Sequence, residues 1–308
     1  MASWSATPLF AMQIALLLAA SALLLAAIAG TPRWRAWRRE AWASRPFPAE
    51  WRTILRRRVP LYRQLPPDLQ QQLRRRILVF LAEKPFLGCA GLVVTDEMRV
   101  TIAAQASLLR LNHAGPAFPE LRQVLVYPGA FMVDRVDTAP GGVLREQRRA
   151  LSGESWQQGQ VILSWQDVLA GARVIDDGHN VVLHEFAHQL DQETGGANGA
   201  PHLGSRAAYA RWSEVMAREF AGLQARIRAR EAARARAQAE WSWSGASPDA
   251  PLEEPADLIS DYGATNEAEF FAVVTEVFFE QAGALAERHP ALFALLRDYY
   301  RVDPRTWH

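Results

Sequence analysis

The stretch VVLHEFAHQLD, residues 181–191, sets His184 and His188 four positions apart, with Glu185 directly after the first histidine. On an α-helix, residues four apart lie on one face about one turn from each other, so both imidazoles can reach one metal ion. Glu185 can then face a water at that metal and take its proton. The flanks predict a helix. Asp176, Asp177 and Asn180 offer N-caps, while Val181, Val182, Leu183, Phe186, Ala187 and Leu190 offer the buried faces. Gly195-Gly196-Ala197-Asn198-Gly199 ends it. A five-residue match can arise by chance, and a lone buried histidine is usually a core residue. Two at ligand spacing with an acid between them are not the usual core pattern.

A hydrolytic zinc ion keeps three protein ligands and one open position. A glycine three residues and a third histidine six residues beyond His188 would be one solution, but Asp191 and Thr194 stand there. His113, His179, His202, His289 and His308 have no ligand spacing. The third ligand is therefore expected further along the chain. In EAEFFAVVTEVFFE, residues 267–280, the phenylalanines would bury most of a helix. Yet Glu269, Glu276 and Glu280 fall within about 40° of one another around it. Carboxylates inside so apolar a helix are costly unless paired or metal-bound. On spacing alone two readings stay open: Glu269 as a metal ligand, or a solvated stripe.

The rest of the chain bounds the class. At 308 residues, 49% hydrophobic and 22% charged, it can bury a sizeable core, and a net charge of +1 gives no reason to expect direct nucleic-acid binding. Cys89 is the single cysteine, which excludes an internal disulfide and a cysteine-based zinc cluster. Leu9 to Ala29 is an apolar run interrupted only by Gln13 and Ser21, long enough as a helix for about 30 Å of bilayer. Arg33, Arg35, Arg38 and Arg39 follow, interleaved with Trp34 and Trp37. By the positive-inside rule this is a single-pass anchor in the inner membrane with the remaining chain cytoplasmic. The alternatives are export behind a cleavable signal peptide, since Ala27-Ile28-Ala29 resembles a cleavage site, and a soluble cytoplasmic chain.

Beyond the anchor, the apolar spacing predicts helices over about 69–82, from Thr95 to about 112, over about 207–239 and over about 267–300, the last broken near Gly283 and Pro290. Strands are expected at 124–127, 131–133 and 159–165, and a loop over 241–255. The expected organisation is a transmembrane anchor at 1–32, a basic Arg/Trp-rich juxtamembrane linker at 33–68 and a catalytic domain at 69–308. The arginine runs 56–58 and 74–76 read either as lipid contacts or as solvated helix faces.

Several stretches together resemble the Mlc titration factor A family of zinc metallopeptidases. They are HEFAHQLD (184–191), NGAP (198–201), Tyr262 and EFFAV (269–273), with TDEMR (95–99), AAQA (103–106), SGESW (152–156) and LSW (163–165). The resemblance covers about residues 70 to 300 and implies an α+β, zincin-like domain, mostly helical with a small sheet, distantly similar to the anthrax lethal factor catalytic domain. It implies one Zn²⁺ per chain held by His184, His188 and Glu269, with Glu185 as catalytic base and Tyr262 stabilising the oxyanion. The substrate implied is a peptide or protein. The family also implies, more weakly, a transcriptional repressor as partner, so the alternative function is a regulatory protein that sequesters it, with latent peptidase activity. Asp191 reads either as a carboxylate that supports the ligands from behind or as a helix C-terminal cap or surface group, and Glu276 either as a similar support or as a partner for arginine.

Overall fold

The computed structural model describes residues 8–129, 131–139, 143–151, 153–156, 159–193, 195–244 and 257–307. The chain divides into two compact units, Met1–Pro46 and Phe47–His308. The first is helix α1, Pro8–Ala43. Its arginine-tryptophan half is laced by cation–π contacts, with the Arg38 guanidinium 4.6 Å from the Trp34 ring and 4.5 Å from that of Trp42.

The expected transmembrane helix is not found: among the described residues no helix is long and apolar enough to cross a membrane. The described side chains of α1 lie mainly in its second half, where Arg33, Arg35, Arg38, Arg39 and Glu40 follow one another along the same unbroken helix. Residues 1–7 of the expected anchor lie outside the described residues. The fold is corrected to α+β with no membrane-spanning helix among the described residues.

The second unit begins with helices in the segment read as a linker. These are α2 (Ala49–Arg58), α3 (Pro60–Gln64) and α4 (Pro67–Glu83). Leu55, Val59, Leu61, Tyr62 and Leu65, between the arginines, are all buried. The arginines are the outward face: Arg57 and Arg58 pair with Glu97, and Trp51 Nε1 donates to Asp96 Oδ2 at 3.0 Å, tying α2 to α5 (Asp96–Leu108).

One sheet runs in the order β1-β2-β6-β5. Its strands are β1 (Phe86–Gly88), β2 (Gln123–Tyr127), β6 (Gln160–Ser164) and β5 (Gly153–Trp156). The first three are parallel, with Val124 opposite Val161 and Val126 opposite Leu163, and β5 closes one edge antiparallel to β6. Buried Val124, Val126, Val161 and Leu163 explain why the inner strands read as apolar runs. A separate antiparallel hairpin joins β3 (Phe131–Ala139) to β4 (Val143–Leu151).

Helix α6 (Trp165–Arg173) leads from the sheet to α7 (Val181–Gln192), which packs against α9 (Glu267–Glu280), α5, α6 and strands β5 and β6. Phe186 and Leu190 of α7 and Phe270, Phe271 and Phe278 of α9 are fully buried in the shared core. Helix α8 (Arg206–Ser244) extends past the expected end near 239, and the rest of the expected loop, 245–255, lies outside the described residues. Helices α10 (Ala282–Arg288) and α11 (Pro290–Tyr300) complete the described fold, with the break at Pro290 where the sequence placed it.

Candidate metal centre

Helix α7 starts where Asn180 caps it. The Asn180 Oδ1 accepts from the backbone N–H groups of Val182 at 3.2 Å and Leu183 at 3.1 Å. That fixes the first turn, and His184 and His188 then emerge on one face. Helix α9 begins in the same way: Asn266 Oδ1 accepts from the Glu269 N–H at 2.9 Å, so Glu269 sits in its first turn. Packing α7 on α9 brings the two faces together.

Three side-chain atoms meet there. His184 Nε2 lies 3.0 Å from Glu269 Oε2, His188 Nε2 lies 3.4 Å from the same oxygen, and the two Nε2 atoms are 3.2 Å apart. Ligands about 2.0–2.2 Å from a tetrahedral ion stand about 3.3–3.6 Å from one another. The triangle is within a few tenths of an ångström of the size such an ion demands. Once His184 gives up its Nε2 proton, two imidazole nitrogens and a carboxylate oxygen turned toward one point make a concentrated set of lone pairs, which a cation relieves. Among the described residues these are the side chains that could hold a metal ion.

The electrostatics follow from burial and partners. For His184, burial works against the charged ring, but the Glu269 and Glu276 carboxylates outweigh it and hold the ion-free imidazole up at about 10. Burial pushes the Glu269 carboxyl up, while His184 and His188 pull it well below the ordinary carboxylate range.

The carboxylate stripe on α9 is shared out by position. Glu269 faces the Nε2 atoms, whereas Glu276 Oε1 lies 2.7 Å from His184 Nδ1 and its Oε2 accepts from the Asn180 backbone N–H. Glu280 Oε1 accepts from Asn180 Nδ2 at 3.0 Å, and burial pushes its carboxyl up to about 8. Asn180 Nδ2 also donates to Gln105 Oε1 at 2.7 Å. Asn180 entered the sequence reading only as a cap and Gln105 only as part of a matched stretch. The signal for Gln105 was a polar side chain in the otherwise apolar run Ile102–Ala106.

Glu185 follows His184 on α7 and is 4% exposed. Tyr262 lies on a 3₁₀ turn, Asp261–Ala264, just ahead of α9, with its ring centroid 5.9 Å from that of His184 and half its surface exposed. Asp191 is fully buried and accepts from the N–H groups of Gly199 and Ala200, each at 2.8 Å. Burial raises its carboxyl more than those donors lower it. Gly199 has a φ of +74°, and a Cβ there would lie 2.4 Å from the Glu267 carbonyl. Only glycine lets this loop close against the start of α9. The NGAP stretch thus links the end of α7, through Asp191, to the start of α9, through Glu267.

Comparison with known proteins places the chain in a family. The glucose-regulated metallo-peptidase M90 family matches residues 34–301. An uncharacterized protein of Synechocystis is 40% identical over 282 residues, covering 91% of this chain and 94% of its own. Mlc titration factor A of Yersinia pestis is 30% identical over 257 residues, covering 83% of this chain and 85% of its own. The Mlc titration factor A of Yersinia pseudotuberculosis matches to the same extent.

Proposed function

Since the chain belongs to the glucose-regulated metallo-peptidase M90 family, we propose that it hydrolyses peptide bonds with one zinc ion held by His184, His188 and Glu269. A metallopeptidase-type function follows from the family. The identity of the ion and the roles of the residues are the proposal. The observation that carries it is the triangle of ligand atoms at 3.0, 3.2 and 3.4 Å beside a buried Glu185. A His₂Glu set is a donor combination that suits catalytic zinc.

When bound, zinc supplies Lewis acidity and makes a water nucleophilic near neutral pH. Glu185 accepts a proton from the attacking water and returns it to the leaving amide nitrogen as the C–N bond breaks. The Tyr262 phenol donates a hydrogen bond to the carbonyl oxygen as negative charge develops on it. Its place on a half-exposed turn beside His184 suits a donor that meets substrate from the solvent side. Sequestering of a transcriptional repressor, the alternative expectation, requires neither a buried Glu185 nor a phenol beside the ligands.

A library of unstructured peptides incubated with the zinc-loaded protein should be cleaved, with cleavage abolished by a chelator and restored by added Zn²⁺. Cleavage unaffected by the chelator would reject the metal-dependent reading. Tyr262→Phe is expected to lower kcat by about 10²-fold with metal content unchanged. A kcat equal to wild type would remove Tyr262 from the chemistry.

A further inference from the structure

Asn180 and Glu276 form a unit that the proposed chemistry does not itself use. Asn180 is 2% exposed, and its hydrogen-bonding groups are all engaged. Its N–H donates to Glu276, its carbonyl accepts from the His184 N–H at 2.9 Å, its Oδ1 caps α7, and its Nδ2 serves Gln105 and Glu280. Glu276, 5% exposed, spends one oxygen on this residue and the other on the His184 ring. A single carboxylate therefore spans the N-cap of α7 and the imidazole one turn later.

That arrangement has a chemical consequence for the ring. A carboxylate oxygen 2.7 Å from Nδ1 calls for a proton on Nδ1, because two acceptors at that distance would repel. A neutral imidazole with its proton on Nδ1 has its free lone pair on Nε2, the atom that faces His188 and Glu269. We infer that Glu276 is a positioning residue of the metal site. Its carboxylate, held between the Nδ1–H of His184 and the backbone N–H of Asn180, fixes the tautomer and the orientation in which His184 can ligate. The inference rests on the zinc-site reading above and adds to it a group that touches neither metal nor substrate.

Glutamine at 276 is the sharpest probe, since it keeps shape and volume but offers one acceptor to two donors. With its oxygen toward Asn180, its NH₂ faces Nδ1, which can accept only if the ring proton moves to Nε2 and occupies the ligating lone pair. With the amide reversed, its NH₂ meets the Asn180 N–H, donor against donor. Both arrangements penalise the ligating state.

Zinc affinity of the full chain, measured by competition with a chromogenic chelator, should fall about 10–100-fold in Glu276→Gln. Glu280→Gln, which keeps an acceptor for Asn180, should stay within about twofold of wild type on the same scale. A second readout needs no variant. In ¹⁵N spectra of the zinc-loaded wild-type protein, His184 should show a protonated, slowly exchanging Nδ1 and a metal-bound Nε2. Unchanged affinity in Glu276→Gln, or ligation of His184 through Nδ1, overturns the inference. If wild-type protein takes up no zinc, the site reading fails first and this inference falls with it. If it takes up zinc normally and Glu276→Gln matches it, only the role of Glu276 is lost.

Discussion

Glu185→Gln is expected to keep its metal and lose hydrolysis by about 10²–10⁴-fold, the range a positioned general base contributes. The substitution is close to isosteric and alters none of the three ligand atoms that meet at the centre. It leaves the Asn180 cap of α7 untouched, because that cap uses the backbone N–H groups of Val182 and Leu183. What it removes is a basic oxygen, and a carboxamide cannot take a proton from water near neutral pH. Metal-to-protein ratio and kcat/KM measured on the same preparation separate the two effects. Full metal with turnover at wild-type level would sink the assignment of Glu185 as base. Loss of metal along with turnover would instead recast Glu185 as a support for the ligands.

The parts of this site that sequence made legible are those that local periodicity encodes. Residues four apart on α7 share a face whatever surrounds them, so His184 and His188 needed no tertiary knowledge to be paired. The stripe of Glu269, Glu276 and Glu280 was equally visible as a polar line in an apolar helix, and its meaning was not. Which carboxylate meets which nitrogen depends on how α9 lies across α7, a contact between segments some 80 residues apart. The structure separates three residues that the helical wheel made equivalent. Glu269 takes the Nε2 side, Glu276 takes Nδ1 and the N-cap, and Glu280 takes the Asn180 amide.

Elsewhere the pattern failed for identifiable reasons. Strand β4 carries Arg145, Glu146, Arg148 and Arg149 in its middle, so no alternation of apolar and polar residue types marks it in the sequence. Strand β1 is three residues long, too short for any period. Around residues 56–58 the arginines drew the reading toward a linker, while the informative residues were the apolar ones flanking them, Leu55 and Val59. The apolar count over residues 9–29 was read as a membrane span, whereas α1 continues unbroken into its arginine-rich half and no described helix qualifies.

Replacing Glu269 by alanine should remove the metal, and with it the activity, while the helix that carries the residue survives. The Asn266 cap of α9 bonds to the backbone N–H of residue 269, which alanine retains. The other end of the stripe is unaffected, since Glu276 and Glu280 hold Asn180 independently. At the centre, however, the two Nε2 atoms 3.2 Å apart lose the only carboxylate of the ligand set. Two neutral imidazoles offer a dication neither a third ligand nor a compensating charge. The loss of affinity should therefore exceed the roughly 10–100-fold attached to losing an outer partner such as Glu276. Zinc content after dialysis against a buffered zinc concentration that keeps the wild-type site saturated should be near zero for Glu269→Ala. Glu269→Gln, with a weaker neutral oxygen donor, should fall between the two. Full occupancy in the alanine variant would reject Glu269 as a ligand. A variant that loses metal and unfolds would show the site to be structural, because a catalytic site built on pre-capped helices leaves the metal-free fold standing.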